Sequence, residues 1–142
     1  MYKVGIIGAG VIADFHAQAL QAMHGVELVA AYARNQEKAD SFSQKYGCSG
    51  YSDLTEFLKH PGMDVVTIGS VSGVHLEHAT AAAKSGKHII CEKPLEVTPS
   101  RIDDMIKVCE ENGVMISGIF PRRFNDSTYI FKEAIELGRL GK

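Results

Sequence analysis

A glycine turn between a short apolar run and a helical pattern constrains the fold of this chain more than any other feature. Residues 4–7 have the length and composition of a buried strand, and residues 11–23 repeat apolar side chains at helical spacing. Gly8 and Gly10 lie between these two segments. A G-x-G-x-x-G/A pattern in the order strand, turn and helix is typical of a site that binds the pyrophosphate of a dinucleotide.

Each position of the turn has a physical reason for its residue type. Gly8 allows the chain to turn tightly, and Gly10 leaves room for a pyrophosphate to approach the backbone. Val11 and Ile12 begin the predicted helix, where free N–H groups and the positive end of the helix dipole attract an anion. Ala13 replaces the third glycine, because only a small residue is needed where helix and strand meet. The alternative is that the glycines serve the geometry of the turn alone.

The composition restricts the classes to which the protein can belong. Its 142 residues, 45% apolar and 23% charged, suffice for one globular domain with a hydrophobic core. The formal net charge of −2 and the lack of a basic stripe argue against a nucleic-acid partner. The longest apolar runs have the length of strands, so we expect no membrane partner. The N-terminus lacks the form of a signal peptide.

The cysteines and histidines show no disulfide or metal-binding pattern. Cys48, Cys91 and Cys109 are odd in number and irregularly spaced, which argues against a disulfide framework and a zinc site. A reducing, cytoplasmic environment fits this usage. His75 and His78 can meet one helical turn apart, but no carboxylate or thiolate supports them. We therefore predict no metal site.

Apolar runs and helical patterns alternate along the whole chain. The predicted strands cover residues 4–7, 26–31, 49–51, 64–69, 87–91 and 114–119. The predicted helices cover residues 11–23, 36–46, 53–58, 75–85, 99–111 and 126–137. Short β–α repeats of this kind predict an α/β fold with a parallel sheet. Right-handed crossovers then give a doubly wound Rossmann sheet in the order 3-2-1-4-5-6, within three α/β/α layers.

Residue types at helix ends and on helix faces refine this pattern. Asn35, Ser52 and Thr98 are predicted N-caps, because short polar side chains accept hydrogen bonds from the first helical turn. The fifth helix is predicted to bury one apolar stripe, made of Ile102, Met105, Ile106 and Cys109. The last helix gathers its apolar residues on one side, with Ile130, Phe131, Ala134 and Ile135.

Two loops are predicted to meet where the strand order reverses. Ligands of doubly wound sheets bind beyond the carboxyl ends of strands one and four, and the loops there are residues 8–13 and 69–75. Ser70 and Val71 belong to the second loop, and small residues suit a loop that passes over the ribose and nicotinamide of a cofactor. We therefore predict that both contact the cofactor.

A Glu-Lys-Pro motif, residues 92–94, directly follows the fifth predicted strand and is the most specific motif in the chain. With the glycine turn, the run 83–91 and Arg123-Phe124, it resembles the N-terminal half of the glucose–fructose oxidoreductase / inositol dehydrogenase / MocA family. The resemblance extends over essentially all 142 residues. It implies an NAD(P)-dependent oxidoreductase that acts on sugars, polyols or related hydroxy compounds.

The resemblance also implies roles for single residues. Lys93 matches a lysine beside the nicotinamide, which binds or polarises the substrate oxygen and helps proton transfer. Glu92 and Pro94 match residues that shape its loop, and Glu92 is counted among the residues near the cofactor. His75 is expected to be structural or adjacent to the cofactor rather than the catalytic base, and His16 to pack or form hydrogen bonds. The alternative for Lys93 is a surface lysine without a role.

The end of the second strand bears on the choice of cofactor. Sites that prefer NAD usually carry an acid there to bind the ribose 2′-hydroxyl, and Ala33 stands at that position. Arg34 follows, and a guanidinium can bind a 2′-phosphate with two hydrogen bonds. We therefore favour NADP over NAD. The alternative, a solvated Arg34 beside NAD, stays open, because arginine also follows the acid in many NAD-type members of the family.

The resemblance further implies a second domain. We expect residues 1–120 to form the dinucleotide-binding domain, and residues 121–142 a loop and helix leading toward a C-terminal substrate domain outside this chain. The usual acid–base partners lie in that domain, so we expect this chain alone to have little or no activity. The full-length form is expected to be a homo-oligomer. Two other functions compete: a non-catalytic dinucleotide-binding module and, more weakly, an S-adenosylmethionine methyltransferase.

Overall fold

Six parallel strands form a single sheet between two helical layers. The structure is a computed structural model and describes residues 1–141. The strands are β1 (Tyr2–Ile7), β2 (Val26–Tyr32), β3 (Ser49–Tyr51), β4 (Val65–Ile68), β5 (His88–Cys91) and β6 (Ile116–Gly118). The helices are α1 (Val11–Ala22), α2 (Gln36–Tyr46), α3 (Leu54–Leu58), α4 (His75–Lys84), α5 (Pro99–Glu111) and α6 (Asp126–Glu136). Short 3-10 helices cover Ser72–Val74 and Pro121–Phe124.

The order of the strands confirms the predicted doubly wound Rossmann fold. The strands lie in the order β3-β2-β1-β4-β5-β6, and all neighbours pair in parallel. The order reverses between β1 and β4, which pair from Val4 with Val65 to Ile7 with Ile68. Because all six strands are parallel, their carboxyl ends lie at one edge of the sheet, where the predicted loops meet.

The hydrophobic core lies on both faces of the sheet. On one face, α1 and α2 bury Ala17, Leu20 and Phe42 against the sheet. On the other, α3, α4 and α5 bury a larger cluster that includes Phe57 and Met105. Side chains of β4 alternate between the two clusters, as expected for a strand covered on both sides.

The predicted boundaries agree closely with the structure, but one cap is wrong. The predicted strands differ from the observed ones by at most two residues at either end. Asp53, not Ser52, caps α3: its carboxylate accepts a hydrogen bond from the N–H of Glu56 at 2.9 Å. Ser52 lies one residue too early to reach the first turn, and its hydroxyl donates to the Gln36 side chain instead.

The apolar stripe predicted for α5 is less buried than expected. In α5, Met105 and Cys109 are buried, whereas Ile106 is 41% exposed because it borders an apolar groove on the sheet that no described helix covers. The apolar residues of α6 share one side as predicted, but Phe131 is 63% exposed. This helix packs against Pro121–Phe124 and buries no residue fully. Within residues 1–141, no helix is long and apolar enough to cross a membrane.

Candidate functional site

The turn after β1 requires glycine at its first position. Gly8 has a φ of +104°, and its N–H donates to the carbonyl of Tyr32 at 2.8 Å. A Cβ atom on Gly8 would lie 2.9 Å from the carbonyl oxygen of Gly69. This glycine therefore allows the loop after β4 to pack directly against the turn.

Gly10 is free of such constraints inside the chain. It is the N-cap of α1 in an extended conformation, and a Cβ atom there would meet no atom within 4 Å. No side chain caps the helix, so the N–H groups of its first residues, Val11 and Ile12, remain available to a ligand. Open space beside an uncapped helix N-terminus fits the pyrophosphate of a dinucleotide.

A groove along this edge of the sheet collects most of the predicted cofactor residues. It is lined by the predicted Gly8, Gly10, Ala33, Arg34, Ser70 and Val71. It is also lined by residues that the sequence reasoning missed, among them Tyr32, Lys38, Val74, Glu77 and His78. Lys38 could have been found from the sequence, because it is a cationic residue in the first turn of the helix that follows β2.

The groove carries positive charge at the end of β2. The strand ends at Tyr32, and neither Ala33 nor Arg34, which follow it, carries a carboxylate. The side chains of Arg34 and Lys38 are exposed. The carboxylate of Glu77, on the other wall, accepts hydrogen bonds from Arg101 at 2.8 Å, and these hydrogen bonds lower the pKa of Glu77. The end of β2 therefore brings two exposed cations into the groove, whereas the Glu77 carboxylate there is paired with Arg101.

The loop after β4 is fixed by a hydrogen bond to α4. Ser70 Oγ and His78 Nδ1 are 2.9 Å apart, and the His78 ring meets the ring of Tyr32 edge to face at a centroid distance of 6.0 Å. Burial lowers the pKa of His78, so its imidazole is neutral at pH 7. His78 and Tyr32 thus form a wall of the groove.

His75 lies beneath the two loops rather than in the groove. It is 1% exposed, with Nε2 at 3.0 Å from the Ser70 carbonyl and Nδ1 at 3.1 Å from the Pro94 carbonyl. It therefore lies in contact with both the loop after β4 and the loop after β5. Any effect of His75 on a ligand runs through these backbone contacts.

The loop after β5 presents Lys93 at the same edge of the sheet. The side chain of Lys93 is exposed, and its N–H donates to Glu92 Oε2 at 3.0 Å. Glu92 is only 8% exposed, and its other oxygen lies 3.2 Å from Nε2 of His16 on α1. The peptide bond between Lys93 and Pro94 is cis.

An ion pair anchors the far end of this loop. The carboxylate of Glu96 is fully buried and accepts hydrogen bonds from Arg101 and from the N–H groups of Leu76 and Val97. Burial alone would raise the pKa of Glu96, but these donors hold it at about 2. The loop is therefore fastened to the N-termini of both α4 and α5.

The buried polar side chains of the molecule gather around these loops. Within residues 1–141, five polar or charged residues are buried: Ser43, Thr67, His75, Glu92 and Glu96. All except Ser43 contact the loop after β5 or a residue that holds it. Burying polar groups is unfavourable unless they are hydrogen-bonded, so this concentration marks a loop whose position is strictly determined.

A sequence profile described as the GFO/IDH/MocA oxidoreductase family, NAD-binding Rossmann fold, matches residues 2–120. The match covers the glycine turn, the groove and the Glu-Lys-Pro loop. The chain belongs to this oxidoreductase family. Within residues 1–141, no cluster of His, Cys, Asp and Glu side chains has the geometry of a metal site, and the three cysteines are free.

Relatives in the GFO/IDH/MocA family include sugar and polyol dehydrogenases. Myo-inositol 2-dehydrogenase of Thermotoga maritima is 33% identical over 99% of this chain and 42% of its own length. The scyllo-inositol 2-dehydrogenase (NADP(+)) IolU of Bacillus subtilis is 32% identical over 82% of this chain and 36% of its own length. The chain therefore spans about two fifths of the length of these relatives.

The crystal structure of a similar dehydrogenase contains the fold of this chain. The WlbA dehydrogenase from Bordetella pertussis, in complex with NADH and UDP-GlcNAcA, superposes with a TM-score of 0.92 at 31% identity. The match covers 99% of this chain and 43% of that protein. The family is described as having an NAD-binding Rossmann fold, and this similar structure holds NADH.

Proposed function

We propose that this chain is the dinucleotide-binding part of an NAD(P)-dependent oxidoreductase that moves a hydride between nicotinamide and a sugar, polyol or related hydroxy or keto compound. The observation that carries the proposal is the shared position of two features at one edge of the sheet. One is the uncapped N-terminus of α1 beside Gly10, and the other is the rigid loop that presents Lys93. The substrates named for the relatives support the choice of substrate class.

The groove fits a dinucleotide in an extended form. The first-turn N–H groups of α1 bind the pyrophosphate, and the space beside Gly10 admits it without a steric obstacle. Ser70 and Val71 border the path toward the nicotinamide, while Tyr32 and His78 border the adenosine end.

NADP is the preferred cofactor in this proposal. Ala33 takes the place of the acid that would repel a 2′-phosphate, and the exposed side chains of Arg34 and Lys38 supply cations to bind it. A named NADP-dependent relative supports this choice, whereas the NADH complex of another relative supports NAD. Relative affinity for NADPH and NADH decides between them.

Lys93 is the catalytic residue that this chain contributes. Bound nicotinamide supplies or accepts the hydride. The ammonium group of Lys93 donates a hydrogen bond to the substrate oxygen, which stabilises negative charge on that oxygen as the carbon–hydrogen bond changes. Glu92 and Pro94 keep the lysine at the carboxyl edge, and His75 holds the loop from below.

The organisation of the longer protein is part of the same proposal. Residues 1–120 form the dinucleotide-binding domain, and residues 121–142 lead toward a substrate domain, with Lys142 outside the described residues. The complete protein forms a homo-oligomer. A reducing cytoplasm suits the free thiols: burial raises the pKa of Cys91 to about 12, which keeps this thiol protonated.

Cofactor binding is tested with a variant at Gly10. In Gly10→Val the backbone keeps an ordinary extended conformation, and the new Cβ atom meets no protein atom within 4 Å, while the side chain occupies the space proposed for the pyrophosphate. Fluorescence titration with NADPH is expected to show at least about a tenfold loss of affinity with the melting temperature nearly unchanged. Equal NADPH affinity in Gly10→Val and the unmodified chain would overturn the placement of the pyrophosphate.

The second candidate is a dinucleotide-binding module without catalysis, because Lys93 is not among the residues that line the groove. The two candidate functions are distinguished by an experiment on the longer protein that contains both this chain and the proposed substrate domain. Lys93→Ala is expected to lower kcat by about a hundredfold or more while NADPH affinity stays nearly unchanged. If the longer protein binds NADPH but does not oxidise it in the presence of keto derivatives of sugars or polyols, the non-catalytic module is supported.

A further inference from the structure

We infer that His16 is a positioning residue that couples cofactor binding at α1 to the position of Lys93. This inference rests on the proposed function and adds to it a connection between the pyrophosphate site and Lys93. His16 lies in the second turn of α1, the helix whose first turn binds the pyrophosphate in the proposal. Its ring spans from α1 to β4 and to the loop after β5.

The contacts of His16 form a continuous bridge. Nδ1 lies 3.1 Å from Oγ1 of Thr67 in the middle of β4, and Nε2 lies 3.2 Å from Oε1 of Glu92. The other oxygen of Glu92 accepts the N–H of Lys93 at 3.0 Å. The side chains of His16 and Glu92 are each 11% exposed, so water has little access to the bridge.

The carboxylate of Glu92 fixes the direction of the hydrogen bonds that it makes. A carboxylate only accepts, so Glu92 receives hydrogen bonds from His16 Nε2–H and from the Lys93 N–H. On the other side of the ring, the Thr67 hydroxyl can donate to Nδ1 or accept from it, so Nδ1 has a partner in either case. Every member of the bridge therefore has a partner, and shielding from water strengthens each hydrogen bond.

The bridge is placed so that a change at α1 reaches Lys93. On the α1 face of the sheet, His16 is the side chain that hydrogen-bonds Glu92. On the opposite side, His75 holds the carbonyl of Pro94 at 3.1 Å. Lys93 therefore lies between His16 on α1 and His75 beneath the loops after β4 and β5. Ordering of α1 by a bound pyrophosphate then orders the backbone of Lys93 through His16.

The test uses ADP, which carries a pyrophosphate and adenosine but no nicotinamide to reach Lys93. Hydrogen exchange of the Lys93 amide is measured by NMR on the 142-residue chain with and without ADP. ADP is expected to slow this exchange about fivefold in the unmodified chain and by less than about twofold in His16→Ala. ADP affinity itself changes by less than about threefold in His16→Ala, because His16 lies outside the groove.

Three further variants separate positioning from folding. His16→Gln keeps a side-chain N–H donor for Glu92 and is expected to restore part of the ADP effect on Lys93. Thr67→Val replaces the hydroxyl that contacts the His16 ring and is expected to weaken the effect of ADP on Lys93. This variant also tests the coupling if His16→Ala fails to fold. His24→Ala, an exposed histidine beyond the other end of α1, is the matched control and keeps the full effect.

Two results would overturn the coupling while leaving the proposed function intact. One is ADP binding without any change at the Lys93 amide in the unmodified chain. The other is an undiminished ADP effect in both His16→Ala and Thr67→Val. Failure of the chain to bind ADP, NADPH and NADH would overturn the proposed function itself, and the coupling with it.

Discussion

At the scale of single residues, we expect Arg34 and Lys38 to set the proposed preference for NADPH. Both are exposed in the groove at the end of β2, where Ala33 leaves no competing carboxylate. A charge-assisted hydrogen bond to the 2′-phosphate contributes about 1.5 kcal/mol, so Arg34→Ala is expected to weaken NADPH binding about tenfold. Lys38→Ala acts in the same direction, and NADH affinity stays nearly constant in both, as measured by fluorescence titration.

The control for this charge effect is Lys84→Ala, an exposed lysine at the end of α4 outside the groove. It is expected to leave the affinity for both cofactors unchanged. An equal loss of NADPH and NADH affinity in Arg34→Ala would show that Arg34 does not recognise the 2′-phosphate.

Glu96 makes stability depend on pH. Its pKa falls from the ordinary 4.5 to about 2 in the folded protein, so the folded state favours the carboxylate. This contributes about 3 kcal/mol to the free energy of unfolding above pH 4.5, and the contribution is lost as the pH falls toward 2. Urea unfolding of Glu96→Gln at several pH values is expected to show lower stability at neutral pH and a weaker loss on acidification.

The matched control is Glu56→Gln, which breaks an ion pair with Lys59 between two largely exposed side chains. Such surface pairs contribute less than about 1 kcal/mol, so this change has little effect at any pH. If Glu96→Gln lost as much stability between pH 5 and pH 3 as the unmodified protein, another group would be responsible for the acid sensitivity.

At the scale of single elements, the N-terminus of α3 distinguishes two neighbouring polar residues. Asp53 accepts the hydrogen bond from the Glu56 N–H, whereas the Ser52 hydroxyl reaches Gln36. Asp53→Ala is expected to lower the free energy of unfolding by about 1 kcal/mol, and Ser52→Ala by less than half of that. Chemical denaturation of both variants checks the assignment, and a larger loss for Ser52→Ala would contradict it.

Elements were predictable wherever local chemistry decides them. Asn35 and Thr98 accept hydrogen bonds from the first turns of their helices as the sequence predicted, because capping depends on neighbours three residues away. The same rule could not choose between Ser52 and Asp53, since both are good caps and the backbone conformation decides. Ile106 was predicted to be buried because helical periodicity shows which residues share a face but not what covers it.

In the candidate site, too, features made by neighbouring residues were predictable from the sequence, whereas contacts between distant residues were not. The glycine turn and the Glu-Lys-Pro loop are recognisable from contiguous residues. The bridge through His16 joins residues 51 and 76 positions apart, and no periodicity or motif specifies such contacts. The position of Lys38 in the groove likewise depends on how α2 packs beside β2.

At the scale of the whole molecule, the stability of residues 1–120 is predicted to be independent of the chain that follows. Helix α6 buries no residue fully and packs on Pro121–Phe124 rather than on the sheet. Removing residues 121–142 is therefore expected to change the free energy of unfolding by less than about 1 kcal/mol and to leave NADPH affinity within about twofold. Thermal and chemical denaturation of the shortened chain measure this.

A large loss of stability on shortening would contradict the proposed domain division. A shortened chain that ends after Phe120 is the appropriate form, because Phe120 packs over Gly118 at the end of β6. Removing Phe120 as well would uncover part of the domain and serves as the positive control for a destabilising change.

The most direct measurement is calorimetric titration of the 142-residue chain with NADPH and, separately, with NADH. The groove beside Gly10 and the cations Arg34 and Lys38 predict that both cofactors bind at one site, with NADPH at least about tenfold tighter. Tighter binding of NADH would contradict the assigned cofactor preference. Absence of binding by either cofactor would contradict the central claim that this chain is the dinucleotide-binding part of an oxidoreductase.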